Sequence, residues 1–503
     1  MGQNDLSPSS SKQVIRVERQ SVEPQRPAPT SPAPAPGKLK PGAVGAVGIV
    51  FFVLSAQAPL TGVAGAVPIA IGIGNGTGVP AAYALAGLLV LLFAVGFTAM
   101  GRHVVNAGAF SAYIGTGLGR TTGLGSAGVA LFAYCAIQAA MYGLYGATMS
   151  GLVASLTGAE TPWWLWSLLT MAVVQALGAS GVEIGARVLM VLVVAEFSIL
   201  LVFALVTLFT GGGPEGLNPS ASFSVGALLQ GAPGVAVMFA VASMFGFEAG
   251  AIYGEEAKDP ERTVPRATYT AVILVTGFFA LASWMLISAH GASGATGAAR
   301  ASLETDPAEF VFTPVAALLG GWVHDVLPVL LATSLFAGIL AFHNSASRYI
   351  FALGRERVFS PLLLAVNRRQ APWLAGAAQT AIALLLVAPF AVLGLDPVLT
   401  LFSWFSGTAV LAMMAMYLLT SVSVIAFFRR ERVDGRSWST LVAPALAAVG
   451  LAGAVLLILA NFTTLVGGSP GTAVLLALTV PAVMAATLGL VRATRHRRPG
   501  PAE

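Results

Sequence analysis

The chain has 503 residues, of which 56% are hydrophobic and only 9% charged. Soluble domains carry about 25% charged residues, so this composition excludes an ordinary water-soluble fold and requires much of the surface to face lipid. The single cysteine, Cys135, excludes a disulfide scaffold, and the 57 Gly and 29 Pro show no three-residue collagen period.

Residues 1–40 hold seven prolines between Pro8 and Pro36, many Ser and no apolar run. That composition predicts a disordered tail. No apolar segment follows the start closely enough for a cleavable leader. Residues 41–495 are predicted to form one transmembrane domain, and residues 496–503 a short C-terminal tail.

Twelve apolar segments follow, at 43–70, 79–100, 122–156, 162–183, 185–210, 231–256, 264–290, 326–354, 372–394, 396–428, 438–461 and 470–492. Each has the length of a membrane helix, about 20 residues. Each is continuously apolar, unlike the alternating strands of about ten residues in a membrane barrel. The prediction is an all-α integral membrane protein with 12 transmembrane helices. Segment 107–120, after span 2, is expected to be an interfacial continuation.

Span 1 is interrupted. Pro59 lacks a backbone donor, and Gly62 and Gly65 weaken the helix around Ala58-Pro59-Leu60-Thr61. In span 3, Gln138 is a candidate lining residue whose alternative role is an interhelical hydrogen bond, and Cys135 is core filler. Span 5 carries Glu196. Span 6 is interrupted like span 1: Gly246 and Gly250 flank Glu248, with Phe245 and Phe247 beside it. An ionisable group inside a span is costly and points to function. The rival role for Glu248 is a neutral carboxyl that pins an unwound segment. Glu255 and Glu256, at the end of span 6, are expected to face the inner mouth, where Lys258 and Arg262 can pair with them in a gate or simply on a solvated surface. His343 in span 8 is expected to be a packing residue. No Cys or His spacing suits a metal, and no cofactor is expected.

Of the 26 basic residues, 25 fall in the two tails and the alternate loops that share one side, and only Arg300 does not. Acidic residues such as Glu215, Glu304, Asp306 and Asp396 fall on the other side. Positive charge stays cytoplasmic, which predicts a multi-pass protein of the cell (plasma) membrane with both termini inside. Anionic membrane lipid accounts for the basic tails, and no nucleic acid is needed.

Two interrupted spans five apart are the best sequence pointer to a transporter site, with close helix packing by Gly and Pro as the alternative. Unwinding frees N–H groups for an anion and C=O groups for a cation, and an amino acid carries both. The stretch from Phe245 to Arg266, Phe-Gly-Phe-Glu-Ala-Gly-Ala-Ile-Tyr-Gly-Glu-Glu-Ala-Lys-Asp-Pro-Glu-Arg-Thr-Val-Pro-Arg, resembles the signature of the amino acid–polyamine–organocation permease superfamily. Asn344-Ser-Ala-Ser-Arg348 with Gly354-Arg355 is similar to that family's span 8 motif, and the likeness extends over about residues 43–492. Leu60-Thr61-Gly62 keeps only the last two members of the Gly-Ser/Thr-Gly triplet common in span 1.

The resemblance implies a LeuT-type fold, with spans 1–5 and 6–10 as a 5+5 inverted repeat and two extra helices. It implies that Thr61 and Gly62 offer N–H groups to a substrate carboxylate. Carbonyls near Ala58 and Phe245 would take the ammonium, Phe245 and Phe247 would wall the side-chain pocket or else serve core packing, and Gly246 is a further substrate-binding candidate. Some proton-coupled members place a Lys where this chain has Glu196. Glu196 and Glu248 are therefore the candidates for ion coupling, with a proton favoured over sodium, and a bonded structural Glu is the alternative for Glu196. The expected function is amino acid uptake by symport. Polyamine or amine transport, exchange, and a receptor with a transporter-like core are the alternatives. An enzyme is not expected, since no nucleophile–base or metal constellation is present.

Overall fold

The computed structural model describes Gly42 and residues 45–104, 109–467 and 469–496; the predicted tail 1–40 and all of the predicted tail 496–503 except His496 lie outside these residues. Every regular element among them is helical. Eight helical stretches are long and apolar enough to cross a membrane, with Ala46–Gly101 counted as one although it contains a break and two predicted spans. The predicted spans 4, 5 and 6 fall among shorter apolar helices.

Small residues bring the long helices together, as lipid-embedded packing requires. Span 2 (Val79–Gly101) packs against span 7 (Pro260–His290), where a Cβ on Gly87 would sit 2.1 Å from Thr276 Oγ1. Span 3 (Arg120–Thr157) packs against span 8 (Trp322–Arg355), span 10 (Ser403–Glu431) and the last helix, Pro470–His496. The outward faces of the last two helices stay apolar and exposed, with Val449 at 74% and Leu475 at 68%. A band of that kind is stable only against lipid or another apolar surface.

Segment 107–120 forms the helix Ala109–Leu118 from its third residue. This helix is not merely interfacial: Phe110, Tyr113 and Ile114 are buried against spans 3 and 10. The connection between spans 7 and 8 holds two further helices, Ala295–Leu303 and Glu309–Leu319, which hydropathy alone did not mark. Arg300 sits on the first of these. Its Nε donates to the carbonyl of Gly72 (2.8 Å) near the end of span 1, a good partner for a helix-terminal C=O.

Candidate functional site

Span 1 stops at Ala56 and restarts at Pro59. Ala58 takes a left-handed conformation, φ 41°, which costs a non-glycine residue about 1–2 kcal/mol. Proline suits the first position of the restarted helix because its missing N–H would be orphaned there anyway. The next two N–H groups are also orphans of the first turn, and side chains from other spans take them. Leu60 N donates to Glu196 Oε2 (3.3 Å), and Thr61 N donates to Ser334 Oγ (3.2 Å). A buried carboxylate is well placed at this positive end of the helix. Glu196 therefore caps the second half of span 1 from span 5, and Ser334 does so from span 8.

Span 6 stops at Ala242 and resumes at Ala249, leaving six residues outside the helix. Gly246 takes φ 100°, and a Cβ there would lie 2.4 Å from Ala56 Cβ. Only glycine meets both demands. Gln57 Nε2 donates to the carbonyl of Met244 (3.3 Å), and a Cβ on Gly62 would lie 3.5 Å from Ser243 Oγ. The two breaks are thus in direct contact.

Glu248 lies at this junction, fully buried. Its Oε1 accepts from the Tyr134 hydroxyl (2.9 Å) of span 3. Its Oε2 accepts from the Tyr417 hydroxyl (3.2 Å) of span 10 and from Gly246 N (3.2 Å). Tyrosine hydroxyls donate or accept by rotating, so this cage accommodates Glu248 with or without its proton. Phe247 packs with Phe93, Phe97 and Tyr417 at centroid distances of 5.7, 6.2 and 5.3 Å, and Phe245 meets Tyr417 edge-on at 6.4 Å.

The structure rearranges several expected contacts. Thr61 N faces Ser334, and Gly62 N donates to the carbonyl of Ala58 (2.9 Å), so in this conformation these donors and that carbonyl serve the protein itself. The space over Gly62 holds Phe279 of span 7, stacked on Tyr83 at 5.0 Å, and Tyr83 reaches Ser243 (3.2 Å). Gln138 lies in an interhelical network rather than against the breaks. It bonds Tyr142, the carbonyl of Ile339 and Gln379, while Cys135 Sγ donates to Gln379 Oε1 (3.1 Å). His343 is buried between Gly178 and Gly376.

Glu256 requires a correction. It pairs not with Lys258 or Arg262 but with Arg348 of span 8, through a buried bidentate contact, and Arg348 lies 4.6 Å over the Tyr253 ring. Arg262 instead lies 3.8 Å from Asp259. The buried guanidinium needs a carboxylate, and the carboxylate of Glu256 is the one within reach. Sequence reading also missed Tyr134, Tyr417, Tyr83 and Ser334. A tyrosine in mid-span was the available signal, since its buried hydroxyl must find a partner.

Among the described residues, no group of three His, Cys, Asp or Glu side chains is arranged to hold a metal ion. Two broken helices in contact within a bundle, each packed against long unbroken ones, are the arrangement of the LeuT-type fold. One solved structure with this fold is the crystal structure of MhsT in complex with L-phenylalanine. It shares 20% identity, covers 82% of this chain and 98% of its own, and superposes with a TM-score of 0.53. The family model for amino acid permeases matches residues 48–498. The chain belongs to the amino acid permease family, within the amino acid–polyamine–organocation superfamily. No curated protein matches the chain.

Proposed function

We propose that the protein is a secondary transporter that takes up an amino acid by proton symport across the cell membrane. Its twelve helices would cross the membrane as two inverted five-span repeats plus two, with both tails cytoplasmic. The segregation of 25 of 26 basic residues supports that orientation. One observation carries the reading: the breaks of spans 1 and 6 touch, and a buried carboxyl, Glu248, sits at their junction.

In this reading the substrate enters where Phe279 now covers Gly62. Its carboxylate takes the N–H groups of Thr61 and Gly62, and its ammonium the carbonyls near Ala58 and Phe245. Phe245 and Phe247 bound the side-chain space. Glu248 carries the coupling proton, and Glu196 senses or carries it at the helix end it caps. Coupling and direction follow from uptake of labelled amino acids into proteoliposomes with and without an imposed pH gradient. Accumulation driven by an inward proton gradient is expected. Equal uptake under both conditions would refute symport, and no uptake of any amino acid would refute the transport reading.

A further inference from the structure

A cavity of about 270 Å³ lies at the end of the bundle that carries the Arg-rich loops. It is an open recess lined by the helix Ala109–Leu118, the start of span 3 and the end of span 8. Leu124 and Leu353 give it an apolar wall, and Ser111 and Thr116 give it hydroxyls. Arg120 and Glu356 also line it, with Arg120 Nη2 3.8 Å from Glu356 Oε2 and both side chains about half exposed (60% and 48%). An exposed, loosely made pair of this kind contributes little stability by itself, so its charges are available to a ligand.

The two ends of this pair are electrostatically opposite for a second reason. Arg120 is the first residue of the 38-residue helix of span 3, whose cap, Gly119, supplies no side-chain acceptor. Free N–H groups there favour an anion. Glu356 follows Arg355, the last residue of the span 8 helix, where terminal carbonyls favour a cation. The guanidinium fork suits a carboxylate, and the Glu356 carboxylate suits an ammonium. An α-amino acid carries both groups on one carbon.

Packed tyrosines link the wall of the cavity to the junction of the breaks. Ser111, on its wall, donates its N–H to the Tyr349 hydroxyl (3.1 Å). The Tyr349 ring lies 5.8 Å from that of Tyr134, whose hydroxyl binds Glu248. Two tyrosines therefore separate this cavity from Glu248.

We propose that this cavity is a second binding site for the zwitterionic amino acid, occupied between the breaks and the cytoplasm, with Arg120 taking the carboxylate and Glu356 the ammonium. The proposal rests on the transport reading above. Ala112 and Thr116 line the cavity, and the chain's only cysteine, Cys135, is buried. Ala112→Cys and Thr116→Cys thus each provide one accessible thiol.

The probe is an equimolar mixture of neutral L-amino acids, tested against alkylation by a membrane-impermeant thiol reagent. The mixture should slow alkylation about tenfold at either position, and this protection should fall below about twofold when Arg120→Gln or Glu356→Gln is added. It should persist when Glu248→Gln is added. Unprotected thiols in vesicles that still accumulate amino acid would overturn the second site and leave the transport reading standing. Protection lost with Glu248→Gln yet intact with both Gln substitutions at the mouth would also overturn it, since the effect would then originate at the breaks. Neither uptake nor protection would overturn both readings.

Discussion

Glu248→Gln separates titration from shape. Glu248 Oε2 holds two donors, Gly246 N–H and the Tyr417 hydroxyl, while Oε1 holds only the Tyr134 hydroxyl. A Gln with its carbonyl oxygen in the Oε2 position keeps the first two bonds. Its NH₂ then faces Tyr134, whose hydroxyl rotates to accept. The second amide hydrogen and the Tyr134 O–H proton then lack their acceptor, at about 1 kcal/mol or more each. The charge-assisted part of three hydrogen bonds is lost, and the burden of burying a carboxylate is relieved. The relief offsets part of these losses, leaving a net destabilisation of about 2 kcal/mol. For a chain of this size the melting temperature should fall by only about 2 °C. Glu248→Leu, by contrast, strands three buried donors at about 1–3 kcal/mol each and should fail to fold or melt far lower. Thermal melts of the solubilised proteins measure this half of the prediction. Uptake across a range of pH measures the other: the Gln variant should be inactive or insensitive to pH. A Gln variant with the wild-type pH response would refute the coupling role. A Gln variant as unstable as the Leu variant would refute the hydrogen-bond argument.

Further expectations follow from the same contacts. Gly246→Ala combines a left-handed φ of 100° with a Cβ 2.4 Å from Ala56 and should destabilise by about 2–4 kcal/mol in a thermal melt. Gly62→Leu drives a side chain into Phe279, already 2.5 Å from the position of a Cβ, and should abolish amino acid uptake while leaving membrane insertion intact; retained uptake would place the transported substrate elsewhere. Arg348→Ala leaves the Glu256 carboxylate buried without its partner and should cost about 3–5 kcal/mol, whereas the double change to Leu at both positions should cost less. Glu196→Gln, assayed at several pH values with and without sodium, should lose the pH response only; unaltered responses would leave Glu196 as a structural cap. Asp434 is a control. The hydrogen bond from Arg436 holds its carboxyl down at about 2, so its contribution is present above the ordinary aspartate value and is lost only as pH falls through about 2. Asp434→Asn should leave the pH profile of uptake unchanged.

The interruptions were legible because Pro59 and Gly246 act through local backbone chemistry, which a sequence displays directly. Glu248 was legible because a carboxyl in an apolar run has few explanations. The partners were not, since hydrogen-bond choice depends on which helices meet. Glu256 illustrates this: Lys258 and Arg262 are its neighbours in sequence, yet Arg348, 92 residues on, is the one that faces it. Gln138 was identified as a polar group needing a partner, and only the packing of spans 3, 8 and 9 reveals that Ile339 and Gln379 supply it. The helices Ala295–Leu303 and Glu309–Leu319 were hidden because they are short and carry no membrane-length apolar run.

The unequal lengths of the two breaks have a mechanical consequence. Span 1 interrupts its helix for only two residues, so the φ and ψ of Gln57 and Ala58 form a tight pivot, and the 11-residue helix Ala46–Ala56 behind it is a lever. At 1.5 Å per residue that lever is about 16 Å long, and a tilt of about 20° at the pivot swings its far end by about 5 Å, roughly one helical turn. Span 6, with six residues outside the helix, has slack enough to absorb such a swing without tilting its own halves. The bond from Gln57 to the carbonyl of Met244 ties the pivot to that slack. Rotation of span 1 therefore pulls first on the non-helical segment leading to Gly246 and Glu248, so the carboxyl's surroundings change as soon as the lever moves.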